Sequence, residues 1–353
     1  PATFPWITTA YLVSSTVMVP IYGKLSDVFG RKPVLLAGVS IFLAGSLLCG
    51  VSPNVGMLIA ARALQGLGAA ALFTSAFTVI ADLFPASERG KYAGLIGGVM
   101  GIASVVGPLV GGVLTDAFGW HWVFFVNLPI GAVALWFISR RMPALATGTS
   151  AADGARRRID YGGVAMLVAG VVPLLLALSL GGGGEGGAAG AQGWTRAPVV
   201  ALLALAMAGI VGFVVVERRA ADPILDLGLF RSRSVGLGTA VVFLLGAAFL
   251  AAVVFLPLFL VNVIGVSATR AGLTMTPLTF GVVTGSIGGG QLVARTGRYR
   301  ALMLLALVVM CTGFAVMAFT ITPQSTQLEV TLKMVLIGLG IGPTFPIYTL
   351  ITQ

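Results

Sequence analysis

The 353-residue chain is 58% hydrophobic and only 9% charged, with a mean hydropathy of +1.03. Water-facing domains carry roughly 25% charge, so this composition excludes a soluble globular protein and makes lipid the main solvent. The net charge of +10 would suit a nucleic-acid ligand, but the placement of the charges along the chain excludes that partner.

A bilayer core about 30 Å thick takes about 20 apolar residues per helix. Cutting the sequence at charges and at Pro/Gly/Asn clusters predicts eleven spans. They fall at roughly 6–22, 33–50, 55–82, 91–115, 121–139, 161–180, 196–216, 235–262, 268–293, 301–322 and 328–353. No alternating ten-residue pattern suggests barrel strands, and an open sheet cannot cross lipid. The 49 glycines fit this reading, because small residues let helix backbones approach closely where lipid removes the hydrophobic drive for association.

The basic residues orient the spans. With the first span starting outside, the inner loops hold Lys24, Arg31, Lys32, Arg89, Lys91, Arg140, Arg141, Arg156, Arg157, Arg158, Arg218, Arg219, Arg231, Arg233, Arg295, Arg298 and Arg300. Arg196, Arg270 and Lys333 fall outside and Arg62 lies within a span. That alternation follows the positive-inside rule, so the positive charge belongs to cytoplasmic loops. The basic linker after span five, and GGGGEGGAAGAQG (181–193) between spans six and seven, read as flexible connections. The latter follows no strand and lacks the Lys and hydroxyl of a phosphate loop. The chain has no initiator Met and its last apolar run continues to Gln353, so it reads as a piece lacking a segment at each end.

An internal repeat lies in the short loops. GKLSDVFGRK (23–32) matches GQLVARTGRY (290–299) at Gly23, Leu25, Gly30 and Arg31, and LQGLGAAALF (64–73) matches LIGLGIGPTF (336–345) at Leu64, Gly66, Leu67, Gly68 and Phe73. Two halves of common origin, with a site between them at the midplane, are expected. Asp27 corresponds to Ala294 and Arg62 to Met334, so the halves are expected to play unequal parts.

Arg62 is the outstanding candidate. It stands eight residues past Asn54, roughly 12 Å along a helix, where a charge needs a polar cavity or a partner. Gln65 and Gly66 follow at i+3 and i+4 on the same face. Asp82 sits at a cytoplasmic span end, Asp116 and Glu329 near external ends, and no Asp or Glu lies at the depth of Arg62. Glu329 and Lys333, four apart, are spaced to pair. Gly97, Gly101, Ser104, Pro108 and Gly111 recur at three- and four-residue steps and form a smooth stripe suited to tight packing that slides or bends. In the first cytoplasmic turn Asp27 and Arg31 stand four apart, with Asp82 and Arg89 expected nearby, which suits a charge network at an inner gate. Trp120, His121 and Trp122 read as an interfacial aromatic belt. Cys49 and Cys311 read as buried small hydrophobes, without metal-ligand spacing.

Together these segments resemble the major facilitator superfamily, and within it the 14-span drug:proton antiporters. GKLSDVFGRKP looks like the motif between the second and third helices, and RALQGLGAA like the fourth-helix motif whose arginine, here Arg62, is implicated in proton coupling. GPLVGG, with Gly107, Pro108, Gly111 and Gly112, resembles the antiporter motif of the fifth helix; Ala103 stands where that pattern usually has Gly. WHWVFFVNLPIG is similar to a family segment that usually has Arg at the position of His121.

The resemblance implies an all-α polytopic membrane protein with the major facilitator fold. Two pseudo-symmetric bundles, 1–142 (lacking its first helix) and 221–353 (incomplete), would flank a basic linker with two extra helices over 143–220. The absent first helix would carry the acidic motif. Arg62 and Gln65 would serve proton coupling, and Gly23, Asp27, Gly30, Arg31 and Asp82 the cytoplasmic gate. The implied function is export of amphipathic or cationic small molecules in exchange for protons, by a multi-pass monomer of a bacterial plasma membrane without cofactor, metal or nucleic acid. The alternatives are a carrier of a metabolite, siderophore or self-made antibiotic and, remotely, a membrane enzyme or sensor, although no catalytic constellation or ATP-binding loop appears.

Overall fold

A computed structural model of the chain describes residues 4–143, 159–182, 193–263, 265, 268–322 and 325–344. Its helices are α1 (Phe4–Phe29), α2 (Arg31–Gly50), α3 (Val55–Leu83), α4 (Ala86–Phe118), α5 (Trp122–Phe125) and α6 (Asn127–Arg141), followed by α7 (Tyr161–Gly182), α8 (Ala197–Glu217), α9 (Arg233–Asn262), α10 (Ala268–Thr296), α11 (Tyr299–Thr320) and α12 (Gln327–Ile341). Among the described residues there is no strand. Six spans among the described residues, Arg31–Gly50, Val55–Leu83, Trp122–Arg141, Tyr161–Gly181, Ala197–Glu217 and Tyr299–Thr320, are long and apolar enough to cross a membrane, with mean hydropathies from 1.6 to 2.9.

The hydrophobic runs and the helices coincide in order, but α1 continues through Lys24 and Asp27 to Phe29, and α4 begins at Ala86, ahead of Glu88, Arg89 and Lys91. The fifth run is divided at Val126 into α5 and α6. Pro129 explains this interruption of the hydrogen-bond ladder, since it has no N–H to give the carbonyl of Phe125 one turn earlier, while Val126 itself keeps helical angles (φ −58°, ψ −26°). Pro108 causes no such break, and α4 is continuous through it. Most of the linker after span five (144–158), most of the glycine-rich loop (183–192) and the end of the last run (345–353) lie outside the described residues.

Two compact units are present, Pro1–Val79 with Val113–Leu227, and Ile80–Gly112 with Gly228–Gln353. Each contains one copy of the predicted repeat, and small residues set the packing in both. In the first unit a Cβ on Gly66 of α3 would stand 2.5 Å from the carbonyl oxygen of Tyr11 on α1, and one on Gly68 would stand 2.3 Å from the amide of Phe42 on α2. In the second, a Cβ on Gly338 of α12 would stand 2.2 Å from the carbonyl of Leu278 on α10, and one on Gly340 would stand 2.4 Å from the amide of Met310 on α11. Gly45 approaches the backbone of Gln65 as Gly313 approaches that of Ile337. Thus α1, α2 and α3 make among themselves the contacts that α10, α11 and α12 make.

The loops repeat as well. Gly30 (φ 98°, ψ 149°) separates α1 from α2, and Gly297 (φ 66°) lies between α10 and α11. The conformation at Gly30 is essentially confined to glycine. Gly30→Ala is expected to destabilise the protein by about 1–3 kcal/mol, read as a lower melting temperature of the full-length protein in detergent. Gly23→Ala, where a Cβ meets nothing within 4 Å, is expected not to lower it.

Both units have apolar interiors. Leu260, Leu278, Val330, Met334, Ile337 and Ile341 are all but fully buried in the second. In the first, Tyr22, Val34, Ala70 and Ala71 form one cluster and Cys49, Leu58 and Ala61 another. Cys49 is buried as expected, whereas Cys311 is exposed on α11. Helices α7 and α8 pack closely through small residues; a Cβ on Gly209 would lie 2.4 Å from the amide of Gly170. The pair joins α1 through Thr9 Oγ1 and Ser179 Oγ, 3.2 Å apart. At α12 the sequence suggests a Glu329–Lys333 pair, but both side chains serve helix ends. Glu329 closes a capping box with Thr326, and Lys333 Nζ donates to the Thr320 carbonyl at the end of α11 (3.3 Å). Satisfying the orphan groups of helix termini outweighs an exposed ion pair.

Candidate functional site

Inside the first unit the side chain of Arg62 lies among four helices. Its Nη1 donates to Gln65 Oε1 at 2.5 Å, and its Nε donates to the carbonyl of Ile7 on α1 at 3.3 Å. The guanidinium carbon lies 4.1 Å from the ring centre of Tyr11 and 5.9 Å from that of Phe124 on α5. Cation–π contacts of this kind are worth about 0.5–2 kcal/mol, more where water is excluded. Among the described residues Nη2 has no hydrogen-bond partner, so one edge of the guanidinium fork remains available.

Gln65 is only 2% exposed and carries the network further. Its Nε2 donates to Ser46 Oγ on α2 (2.6 Å), which also accepts from Asn127 Nδ2 on α6 (3.3 Å). Cys49 Sγ lies 3.9 Å from Gln65 Oε1. The close approach of Gly45 to the Gln65 backbone, and of Gly66 to Tyr11 and Ser14, brings these side chains within reach. In the second unit the positions of Arg62 and Gln65 are taken by Met334 and Ile337, both fully buried in the apolar cluster. One scaffold therefore holds a cationic network in one copy and hydrocarbon in the other.

The spacing of Arg62 and Gln65 pointed to a shared helix face. Tyr11, Ser46, Cys49, Phe124 and Asn127 were missed, because nothing in their local sequence indicates which way each helix turns. Gly23, Asp27, Gly30 and Arg31 lie together around the α1–α2 turn. Arg31 Nη1 pairs with Asp27 Oδ1 at 2.5 Å and also donates to Ser26 Oγ. Asp82 is exposed near the end of α3, in the second unit. Arg89 closes that helix end, donating to the carbonyls of Ala81 (2.7 Å) and Phe84 (3.0 Å).

The Gly/Pro run of α4 is packed at one end. A Cβ on Gly94 would lie 2.9 Å from the carbonyl of Ser286 on α10, and one on Gly97 would lie 2.3 Å from Ser286 Oγ. At Gly107, Gly111 and Gly112 a Cβ would meet nothing within 4 Å, and nothing is described of the Pro108 side chain. Trp120 and Trp122 are exposed, and His121 stacks on Trp120 with centroids 3.7 Å apart.

The sequence pattern of the Major Facilitator Superfamily matches residues 1–353. The chain belongs to this superfamily. It is 38% identical over 342 residues to Multidrug resistance protein 3 of Bacillus subtilis (strain 168), covering 97% of this chain and 64% of that protein. To the Multidrug transporter protein MdtP of the same organism it is 39% identical over 349 residues, covering 99% and 62% respectively. Efflux pump dotC of Dothistroma septosporum (strain NZE10 / CBS 128990) is 34% identical across 98% of this chain and 58% of its own length. This chain thus spans about three-fifths of the length of these relatives. The structure of the human organic anion transporter MFSD10 superposes with a TM-score of 0.64 at 17% identity, covering 98% of this chain and 68% of that one, and so shares the fold. The protein is a multi-pass membrane protein of a transporter superfamily.

Proposed function

We propose that this superfamily member exports amphipathic or cationic small molecules in exchange for protons, working as a monomer in a bacterial plasma membrane. The observation that carries the proposal is the Arg62 guanidinium, held inside the first repeat by Gln65, Tyr11 and the Ile7 carbonyl with Nη2 uncommitted. A fixed positive charge favours the ionised form of any carboxylate brought beside it, and favours it less when the carboxylate withdraws. If the proton-carrying acid approaches Arg62 in one conformation and leaves it in the other, its proton affinity alternates with access. Drug binding that favours one conformation is then linked to proton release.

The multidrug and efflux names of the Bacillus and Dothistroma relatives support small-molecule export. In this reading the two bundles are 1–142 and 221–353, with 143–220 between them. The Asp27–Arg31 pair with Gly23, Gly30 and Asp82 serves the cytoplasmic gate, and Gly107, Pro108, Gly111 and Gly112 give α4 a surface along which a neighbour moves.

The test uses the full-length transporter in proteoliposomes carrying a pH-sensitive dye. An imposed proton gradient is expected to drive lipophilic cations uphill with opposed proton movement, and a protonophore is expected to abolish both. Flux that is only downhill and indifferent to the protonophore would identify instead a facilitator for a metabolite, siderophore or self-made antibiotic. Chemical turnover without flux would identify an enzyme.

A further inference from the structure

Away from Arg62, two carboxylates meet where α7 begins and α8 ends. Asp160 precedes the first turn of α7, and its Oδ1 accepts from the Gly163 amide at 2.9 Å. Glu217 closes α8, is only 4% exposed, and accepts the Leu225 amide on Oε1 at 2.5 Å. Among the described residues the second oxygen of each, Asp160 Oδ2 and Glu217 Oε2, is buried without a hydrogen-bond partner. These two atoms face the same spot, lying 2.7 and 2.8 Å from where a Cβ on Gly163 would be. Glycine at that position leaves the space between them open.

We propose that Asp160 and Glu217 form a proton-binding site in which a single proton is shared between Glu217 Oε2 and Asp160 Oδ2, clasping α7 to α8. This goes beyond the transport reading and does not depend on it. Two adjacent carboxylates, Glu217 buried and Asp160 partly so, cannot both ionise cheaply with their facing oxygens out of water. One proton supplies an O–H donor to one orphan oxygen and satisfies the other as its acceptor. Every oxygen of the pair then has a partner, with Oε1 and Oδ1 already holding backbone amides. The helix dipoles place the proton. Asp160 lies at a helix N-terminus, where an anion is favoured, and Glu217 at a C-terminus, where it is disfavoured. Glu217 is therefore the acid and Asp160 its carboxylate acceptor.

A metal cation fits less well. Hard cations take six or more oxygens, whereas this pair has only two to spare, and no group of three or more His, Cys, Asp or Glu exists among the described residues. Among the described residues the one cation acting on Glu217 is already paired. From α1, Lys24 Nζ, itself 8% exposed, forms an ion pair with Asp222 and donates to the Pro223 carbonyl at 2.9 Å. Arg218 and Arg219, next along from Glu217, are exposed. The segment 222–225 thus links the acid pair to α1, and the clasp holds the α7–α8 pair against the first helix. On protonation an O–H bond forms on Glu217 with a proton taken up from the solvent, and on release that proton returns to the solvent with no electron transfer.

The test uses the full-length protein in nanodiscs. At neutral pH, infrared spectroscopy is expected to show a protonated carboxylic-acid C=O band that Glu217→Gln removes and Asp160→Asn shifts. The wild-type melting temperature is expected to fall as pH rises and the shared proton is lost. Glu217→Gln, whose amide N–H replaces the proton, is expected to melt independently of pH over that range. A band unchanged by Glu217→Gln would overturn the proposal. So would a melting temperature raised by sodium or calcium chloride rather than by acid, which would mark a cation, and so would one indifferent to both, which would mark two carboxylates bridged by water. Should Glu217→Gln not fold, the band shift in Asp160→Asn decides alone, and its absence counts against the shared proton.

Discussion

Arg62→Ala is expected to reduce drug-driven proton movement by on the order of 100-fold, the upper part of the range for a coupling free energy of about 1–3 kcal/mol, while leaving a folded protein. Both parts follow from the geometry. Arg62 is half-buried and spends its known contacts on Gln65, the Ile7 carbonyl and two aromatic rings. Removing it abolishes two hydrogen bonds and two ring contacts but also removes the cost of keeping a charge within the bilayer, so the net change in stability is small. Gln65 keeps its bond to Ser46 and holds α2 and α3 together. What disappears is the fixed positive charge with its open Nη2 edge, and no other residue of the network supplies one. Arg62→Lys separates charge from shape. It keeps the cation but loses the planar fork that stacks on Tyr11 and bonds Gln65, so intermediate coupling is expected. The measurement is the ratio of proton to drug flux in proteoliposomes, with drug binding measured separately. Wild-type coupling in Arg62→Ala would remove the role assigned to this residue.

The features legible in the sequence were those set by local pattern. The order and rough place of the helices followed from runs of about 20 apolar residues, though α1 and α4 run through the charges that end those runs, and the positive-φ glycines at 30 and 297 fell at matched positions of the repeat. The contrast of Arg62 with Met334 was also readable, since it needs only an alignment of two short segments. The network around Arg62 and Gln65 was not. Tyr11 and Phe124 against Arg62, and Ser46 and Asn127 beyond Gln65, come from α1, α5, α2 and α6, and their meeting depends on the rotation of each helix, which lipid-facing and protein-facing apolar residues do not distinguish. Glu217 was passed over for a different reason. It stands at the edge of its span next to two arginines, where a solvated carboxylate is ordinary, and only the folded chain shows its side chain turned inward beside Asp160.

Gly66→Val and Gly338→Val are expected to destabilise the protein to similar extents, each by at least about 1–3 kcal/mol, while differing in which part they disturb. At Gly66 the first added carbon would fall 2.1 Å from Ser14 Oγ and 2.5 Å from the Tyr11 carbonyl. A hydroxyl can rotate away, but a helix carbonyl cannot, so α1 and α3 must separate. At Gly338 the obstacles are the Leu278 carbonyl at 2.2 Å and the Val282 amide at 2.9 Å, again backbone, so α10 and α12 must separate. Lipid offers little hydrophobic drive to hold displaced helices together; close van der Waals contact through small residues is what keeps them paired. Melting temperature and elution profile in detergent report both losses. Gly107→Ala, where a Cβ meets nothing within 4 Å, is the control expected to match wild type. The two valine variants should part company at the site. Separating α1 from α3 carries Tyr11 away from Arg62, so Gly66→Val at a temperature where it remains folded is expected to lose proton coupling as well. Gly338→Val disturbs a repeat whose equivalent interior is methionine and isoleucine, so its folded fraction is expected to keep the wild-type proton-to-drug ratio. A Gly66→Val protein that melts with wild type would contradict the close approach of α1 and α3. One that melts lower but couples normally would show that Tyr11 is not needed to hold Arg62 in place.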